Sequence, residues 1–96
     1  MKTEKDLQNA CIKLVRLNGG YARKMEATNH RGFPDCLFIT AGGRLMFVEF
    51  KTPKGTGKLS GNQVSEIALL RKHGADVYVI DDYAAFCAIY EGAAND

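Results

Sequence analysis

The sequence predicts an α/β fold in which helices cover a mixed four-stranded β-sheet. Apolar residues recur with helical and strand-like periods in the order helix, three strands, helix, strand, helix. The two central runs are apolar on both faces, as in strands in the middle of a covered sheet. The chain has 96 residues, of which 46% are hydrophobic and 25% charged, which is typical of one globular domain. We therefore expect a single domain spanning residues 1–96.

The first predicted helix begins at Thr3, which forms a capping box with Asp6, and ends near Asn18, before two glycines. Its predicted buried stripe consists of apolar residues at helical spacing: Leu7, Cys11, Leu14 and Val15. Glu4 lies three residues before this stripe, so we expect it on the inward face. A first-turn glutamate is also favoured by the helix dipole alone, and both interpretations of Glu4 stay open on pattern alone.

A β-hairpin is predicted in the middle of the chain. Apolar runs at residues 36–40 and 44–50 are separated by an Ala-Gly-Gly segment, which is typical of a hairpin loop. If those three residues form the loop, Asp35 lies directly opposite Glu49, with Cβ atoms about 4.5–5.5 Å apart. A two-residue loop would make them diagonal neighbours. Two carboxylates this close repel each other unless a divalent cation lies between them, so the pairing indicates a metal site.

Lys51 is expected beside these carboxylates. Side chains alternate along a strand, so Glu49 and Lys51 share one face, while three apolar residues point into the core: Met46, Val48 and Phe50. An ammonium group at this place can orient an attacking water or stabilise charge on a phosphate, and the backbone carbonyl of Phe50 is a candidate further metal ligand. The three polar residues therefore predict metal-assisted hydrolysis. The alternative is a Pro-Asp turn with a solvated Glu/Lys pair on an edge strand.

Basic residues cluster in and beside the loops around this predicted site. The strand predicted at residues 21–26 contributes two of them, and the glycine-containing segment after Lys51, which lacks P-loop spacing, carries two more. Five are predicted to contact DNA phosphates: Arg23, Lys24, Arg31, Lys54 and Lys58. His30 is a candidate acid or base, but a solvated loop histidine is the favoured interpretation. The formal net charge of +2 is too small to identify a nucleic-acid-binding protein by itself.

The C-terminal half is predicted to contain helix, strand and helix. Ser60 and Gln63 form a second capping box, which opens a helix that ends near His73. Gln63 also faces inward, so its amide has two compatible predicted roles: capping this helix and contacting Lys51, a metal-bound water or a phosphate. A strand at residues 76–80 and a final helix, capped by Asp82 and running from Tyr83 to Tyr90, complete the order.

The sequence predicts a cytoplasmic protein. No apolar run approaches the roughly 18 residues that can span a bilayer, and the polar N-terminus does not resemble a signal peptide. Three cysteines, Cys11, Cys36 and Cys87, lie within apolar patterns and lack the close spacing of a zinc site. We expect all three to be reduced residues of the core.

Three segments together resemble the VRR-NUC branch of the PD-(D/E)xK nuclease superfamily. They are Arg31-Gly32-Phe33-Pro34-Asp35, Glu49-Phe50-Lys51 and Gly57-Lys58-Leu59-Ser60-Gly61-Asn62-Gln63. Glu4, followed by Leu7 and Gln8, resembles the glutamate of the family's N-terminal helix. The Val-Arg-Arg string behind the family's name is absent from this sequence.

The resemblance implies a restriction-endonuclease-like α/β/α core and a DNA endonuclease that depends on Mg2+ or Mn2+. The implied catalytic residues are Asp35, Glu49, Lys51, Glu4 and Gln63. The implied metal ligands are Asp35, Glu49, the Phe50 carbonyl and, through water, Glu4. Small stand-alone members of the family look like DNA junction resolvases, which implies branched DNA, most simply a four-way junction, in the cytoplasm of a bacterium or phage-infected cell.

A homodimer is expected, because one domain supplies one active site whereas resolving a junction needs two symmetric cuts. The last predicted helix offers one candidate dimer contact, around Tyr83, Phe86 and Tyr90, although these residues suit the core equally well. Two other functions stay open. One is a catalytically silent nucleic-acid-binding module of the same fold, and the other is a small regulatory domain that binds no nucleic acid.

Overall fold

The computed structural model describes residues 1–26, 31–53, 55 and 57–94. Within these ranges the chain forms α1 (Glu4–Leu17), β1 (Tyr21–Lys24), β2 (Cys36–Ile39), β3 (Leu45–Phe50), α2 (Gly61–Lys72), β4 (Val77–Ile80) and α3 (Tyr83–Ala94). The strands lie in the order β1-β2-β3-β4, with two antiparallel pairs followed by the parallel pair β3–β4. The predicted α/β fold with a mixed four-stranded sheet is confirmed, and α2 supplies the crossover that the parallel pair requires.

The helices begin where polar side chains satisfy free backbone N–H groups. Thr3 caps α1, and Ser60 with Gln63 forms the complete capping box predicted for α2. Asp82 Oδ2 accepts a hydrogen bond from Ala85 N at 3.0 Å at the start of α3. These local signals fixed all three predicted starts to within a residue.

The hairpin register follows from its three-residue loop. Cys36 pairs with Val48 and Ile39 with Leu45, and Thr40 N donates to Arg44 O at 2.9 Å where the strands close. Continued by one residue beyond β2, this register places Asp35 opposite Glu49, as predicted. A slip of one residue would move every side chain of β3 to the other face, so the apolar pattern and the loop length enforce the same pairing.

One face of the sheet forms the main core beneath α1 and α3, which contact each other and the strands. The buried strand residues include Ala22, Cys36, Phe38, Met46, Val48, Phe50 and Ile80. The helices contribute Leu7, Cys11, Ile12, Val15, Phe86 and Tyr90. The Phe38 and Phe86 rings meet edge to face with centroids 5.3 Å apart.

This packing corrects the candidate dimer contact on the last helix. Phe86 is 0% and Tyr90 7% exposed, and Tyr83 packs against the same core. Their side chains are therefore committed within the domain, and the alternative interpretation as core residues is the correct one.

The three cysteines are free thiols, as predicted. Cys11 and Cys36 are buried and Cys87 is half-buried. Burial raises the pKa of Cys11 and of Cys36 to about 12, so both stay protonated and unreactive as nucleophiles.

The opposite face of the sheet carries α2 and the polar residues of interest. α2 contacts β4 and buries Ile67. Phe33, in the loop before β2, meets Phe47 edge to face with centroids 5.5 Å apart. Among the described residues, none of the helices combines the length and apolarity needed to cross a membrane.

Candidate active site

Asp35 lies where three strands come together. Its backbone carbonyl accepts a hydrogen bond from Met25 N at 2.8 Å, and its Oδ2 accepts one from Phe50 N at 2.8 Å. The carboxylate therefore replaces a backbone acceptor at the end of the β2–β3 ladder. Because the N–H and C=O of a strand residue point to the same side, the Phe50 carbonyl also lies on the strand edge that faces Asp35.

Glu49 is a buried carboxylate, with only 2% of its surface exposed. Its Oε2 accepts a hydrogen bond from Gln63 Nε2 at 2.7 Å and lies 3.4 Å from Lys51 Nζ. Its Oε1 is buried and has no hydrogen-bond partner within the described part of the chain. A buried acceptor without a partner is costly, and such atoms in native proteins commonly mark an ion, a water or a catalytic role.

Gln63 bridges Glu49 and Lys51 from the first turn of α2. Its Oε1 accepts from Lys51 Nζ at 2.9 Å and from Ser60 N at 2.9 Å, while its Nε2 donates to Glu49. An amide can satisfy a cation and a carboxylate together only in this orientation, with oxygen toward the ammonium group. Both roles predicted for Gln63, helix capping and contact with Lys51, are present in one side chain.

The electrostatics of Glu49 reflect this enclosure. Burial raises the pKa of Glu49 from 4.5 to about 7, and the nearby negative charge of Asp35 acts in the same direction, while the Lys51 ammonium group opposes the rise. The effect of Asp35 agrees with its position opposite Glu49 in the hairpin. A divalent cation at this place would supply the positive charge that two neighbouring carboxylates lack.

Glu4 does not occupy the inward position predicted for it. The residue is exposed in the first turn of α1, ahead of the buried stripe that starts at Leu7. Its negative charge nevertheless contributes to the raised pKa of Glu49, as the last of the causes after burial and Asp35.

The described residues include no group of three or more His, Cys, Asp or Glu side chains arranged to hold a metal ion. The two carboxylates that the hairpin register brings together are those of Asp35 and Glu49. Mg2+ is commonly held by one or two carboxylates, with water and substrate phosphate oxygens completing the octahedron. The two carboxylates and the orphaned Glu49 Oε1 fit this requirement.

The predicted DNA-binding residues do not share one surface. Arg23 pairs with Leu37 and lies on the face of the sheet that carries Glu49, whereas Lys24 pairs with Cys36 and points to the other face. Both are exposed, as are Arg31 and Lys58. Lys54 and His30, for which the sequence predicted roles, lie outside the described residues.

Two close approaches at glycines were not predicted, although both glycines lie in the segments that resemble the family. A Cβ atom at Gly57 would lie 3.3 Å from the Lys51 side chain, so the loop before α2 runs directly over that lysine. A Cβ atom at Gly32 would penetrate the backbone of α2 at Asn62. The Gly32 contact brings the loop before Asp35 against the helix that carries Gln63, and the Gly57 contact closes a short loop over Lys51.

Comparisons with known proteins identify the family of this chain. The family model described as the VRR-NUC domain matches residues 3–81. "Putative nuclease p44" of Acyrthosiphon pisum secondary endosymbiont phage 1 is 35% identical over 78 residues, covering 81% of this chain and 82% of that protein. A solved structure named "VRR_NUC domain" superposes with a TM-score of 0.83 at 30% identity, covering 95% of this chain and 97% of that one. The family and the phage relative support nuclease function, and this chain belongs to the VRR-NUC domain family.

Proposed function

We propose that this chain is a DNA endonuclease that depends on Mg2+ or Mn2+ and hydrolyses phosphodiester bonds at the site formed by Asp35, Glu49, Lys51 and Gln63. The observation that carries the proposal is the buried Oε1 of Glu49, which has no hydrogen-bond partner among the described residues and lies beside a second carboxylate and a lysine. In a structural ion pair both carboxylate oxygens are ordinarily paired. Membership of the VRR-NUC family supports the same reaction.

Asp35 and Glu49 would hold the metal ion, with the Phe50 carbonyl as a further ligand and Glu4 acting through water. When bound, a divalent ion lowers the pKa of water and polarises the phosphate. The Asp35 carboxylate is already fixed by the Phe50 N–H at 2.8 Å, so one of its oxygens is oriented before any ion arrives.

Lys51 and Gln63 are assigned complementary roles. The Lys51 side chain is 14% exposed, which leaves its ammonium group reachable from solvent while Gln63 holds it 3.4 Å from Glu49. A cation in this position can stabilise the charge that develops on a phosphate during hydrolysis. Gln63 does not need to react, since its two hydrogen bonds fix both charged side chains.

The substrate class that we propose is branched DNA, most simply a four-way junction, cut by a homodimer. One domain of 96 residues supplies one such site, whereas resolving a junction requires two symmetric cuts. A two-fold dimer matches the approximate two-fold symmetry of a four-way junction.

This proposal is tested by incubating purified protein with four-way junction, flap and linear duplex DNA of equal length, each with Mg2+, with Mn2+ and with EDTA. We expect metal-dependent cleavage that is fastest on the junction, and light scattering at the working concentration should give the mass of a dimer. Binding without cleavage under every metal condition would instead identify a silent nucleic-acid-binding module. A monomer that cuts linear duplex as fast as the junction would overturn the assigned substrate and assembly.

Arg23 and Lys24 lie on opposite faces of the sheet, so their alanine substitutions form a matched pair of variants. We expect Arg23→Ala to weaken DNA binding more than Lys24→Ala, because only Arg23 faces the side that carries Glu49. Loss of a phosphate contact should also make binding less sensitive to salt. The slope of the logarithm of the binding constant against the logarithm of the salt concentration should become shallower by about 1. Fluorescence anisotropy in a Glu49→Gln background, which prevents cleavage, measures both. Equal effects of the two substitutions would show that the strand does not bind DNA through the face that carries Glu49.

A further inference from the structure

Gly32 lies where the loop that carries Asp35 meets the helix that carries Gln63. Its φ of +86° is in the left-handed region, and a Cβ atom there would lie 2.3 Å from Asn62 O, 2.4 Å from Asn62 C and 2.7 Å from Gln63 N. Ordinary contacts of a Cβ atom fall at 3.4–4 Å. The clashing atoms belong to the backbone of the first turn of α2, which cannot rotate away as a side chain can. The contact therefore admits only glycine.

We propose that Gly32 is a positioning residue whose direct contact with the first turn of α2 sets the place of Gln63 between Glu49 and Lys51. The inference rests on the proposed nuclease site. Gly32 itself carries no reacting group, and it acts through Gln63.

The loop around Gly32 is anchored close to the contact, so it cannot simply retreat. Phe33 packs on Phe47 with ring centroids 5.5 Å apart, and Asp35 accepts from Phe50 N at 2.8 Å. A methyl group at position 32 would therefore push on the helix as much as on the loop.

The displacement required is large on the scale of the hydrogen bonds that it would disturb. Bringing the 2.3 Å contact out to 3.4 Å takes a shift of about 1 Å. Gln63 holds Glu49 at 2.7 Å and Lys51 at 2.9 Å, and a shift of this size moves both contacts beyond the range of a hydrogen bond. Misplacement of a catalytic group by 1 Å can lower a rate by about 100-fold.

The test compares Gly32→Ala with Gly74→Ala. Gly74 follows the other end of α2 and has a φ of +90°, so alanine there suffers the same left-handed strain. A methyl group at position 74 would, however, have no described residue within 4 Å beyond its chain neighbours. We expect Gly32→Ala to cleave DNA at least about tenfold more slowly than Gly74→Ala at a temperature where both are folded. Equal rates would overturn the proposal.

Two further measurements separate positioning from a general loss of stability. In the Gln63→Ala background, Gly32→Ala should cost little additional activity if it acts through Gln63, whereas a purely structural defect would add its full effect. The NMR resonances of the Gln63 side-chain amide should shift in Gly32→Ala and stay unchanged in Gly74→Ala. Additive losses of activity, or an unshifted Gln63 amide in Gly32→Ala, would contradict the assigned role.

Further measurements apply if Gly32→Ala does not fold or if the wild-type protein does not cleave DNA. If Gly32→Ala does not fold, Phe33→Leu loosens the same loop without adding atoms at the contact, and it should shift the Gln63 amide resonances; unchanged resonances would overturn the inference. If the wild-type protein fails to cleave DNA, the proposed function fails, while the amide resonances of the glycine variants still report whether Gly32 positions Gln63.

Discussion

Replacing Glu49 with Gln is expected to abolish DNA cleavage while leaving DNA binding intact. The substitution keeps the size of the side chain but removes the charge of the buried carboxylate whose Oε1 has no partner in the described structure. Stabilisation by a metal ion is worth several kcal/mol, so the rate should fall by about 1000-fold or more. Asp35→Asn should have a similar effect, because its amide oxygen can still accept from Phe50 N but carries no charge. Single-turnover cleavage of saturated complexes measures the loss directly.

Lys51→Met belongs to the same experiment, because methionine keeps an unbranched side chain without the ammonium group. A loss of about 100- to 1000-fold is expected, comparable to removal of one group that stabilises developing charge. Exposed residues on the helices supply matched controls, namely Glu91→Gln and Lys13→Met, which should both cleave normally. Undiminished cleavage by purified Glu49→Gln protein would rule out this site.

The hairpin was predictable because two independent signals agreed on one register. The Ala-Gly-Gly loop fixed the residues that close the strands, and the alternation of β3 fixed which face is buried. The position of Asp35 opposite Glu49 follows from that register alone. Gln63 was predictable for a similar reason, since a capping box is a local pattern that also fixes the orientation of the first helical turn.

The errors arose where periodicity does not determine burial. Glu4 has helical spacing to Leu7, but it occupies the first turn, where the described structure leaves it exposed. Phe86 and Tyr90 form an apolar stripe that suits a core and an interface equally well. Only the packing of Phe86 on Phe38 shows that the stripe is internal.

Contacts between distant segments could not be predicted from this sequence. Gly32 and Asn62 are far apart along the chain, and nothing local indicates that the α-carbon of one approaches the backbone of the other. Gly57 lies only six residues after Lys51, but their contact depends on the path of the loop after β3, which no local pattern specifies. Side chains that take part in the reaction form recognisable motifs in the sequence. The role of a glycine at a close contact between two segments can be recognised only from the folded structure.

The metal-free protein is expected to lose stability as the pH rises from about 5 to about 8. The pKa of Glu49 is raised in the folded state from 4.5 to about 7, mainly by burial and then by the charge of Asp35. The folded state therefore binds this proton more tightly than the unfolded state does, and stability falls with pH wherever that is true. The contribution of Glu49 is fully present below pH 4.5 and is lost as the pH passes through about 7.

Thermal melts in EDTA at pH 5, 6, 7 and 8 measure this dependence, and Glu49→Gln isolates its source. All the other side chains are common to both proteins, so the difference between the two melting curves belongs to Glu49. We expect the variant to show a flatter profile and to melt above the wild type at pH 8 without metal, since it carries no buried charge. Adding Mg2+ at pH 8 should then raise the melting temperature of the wild type and not that of the variant, because a bound cation compensates the two ionised carboxylates. Parallel pH profiles for the wild type and Glu49→Gln would show that Glu49 ionises without cost in the folded protein, so that the two carboxylates need no cation between them.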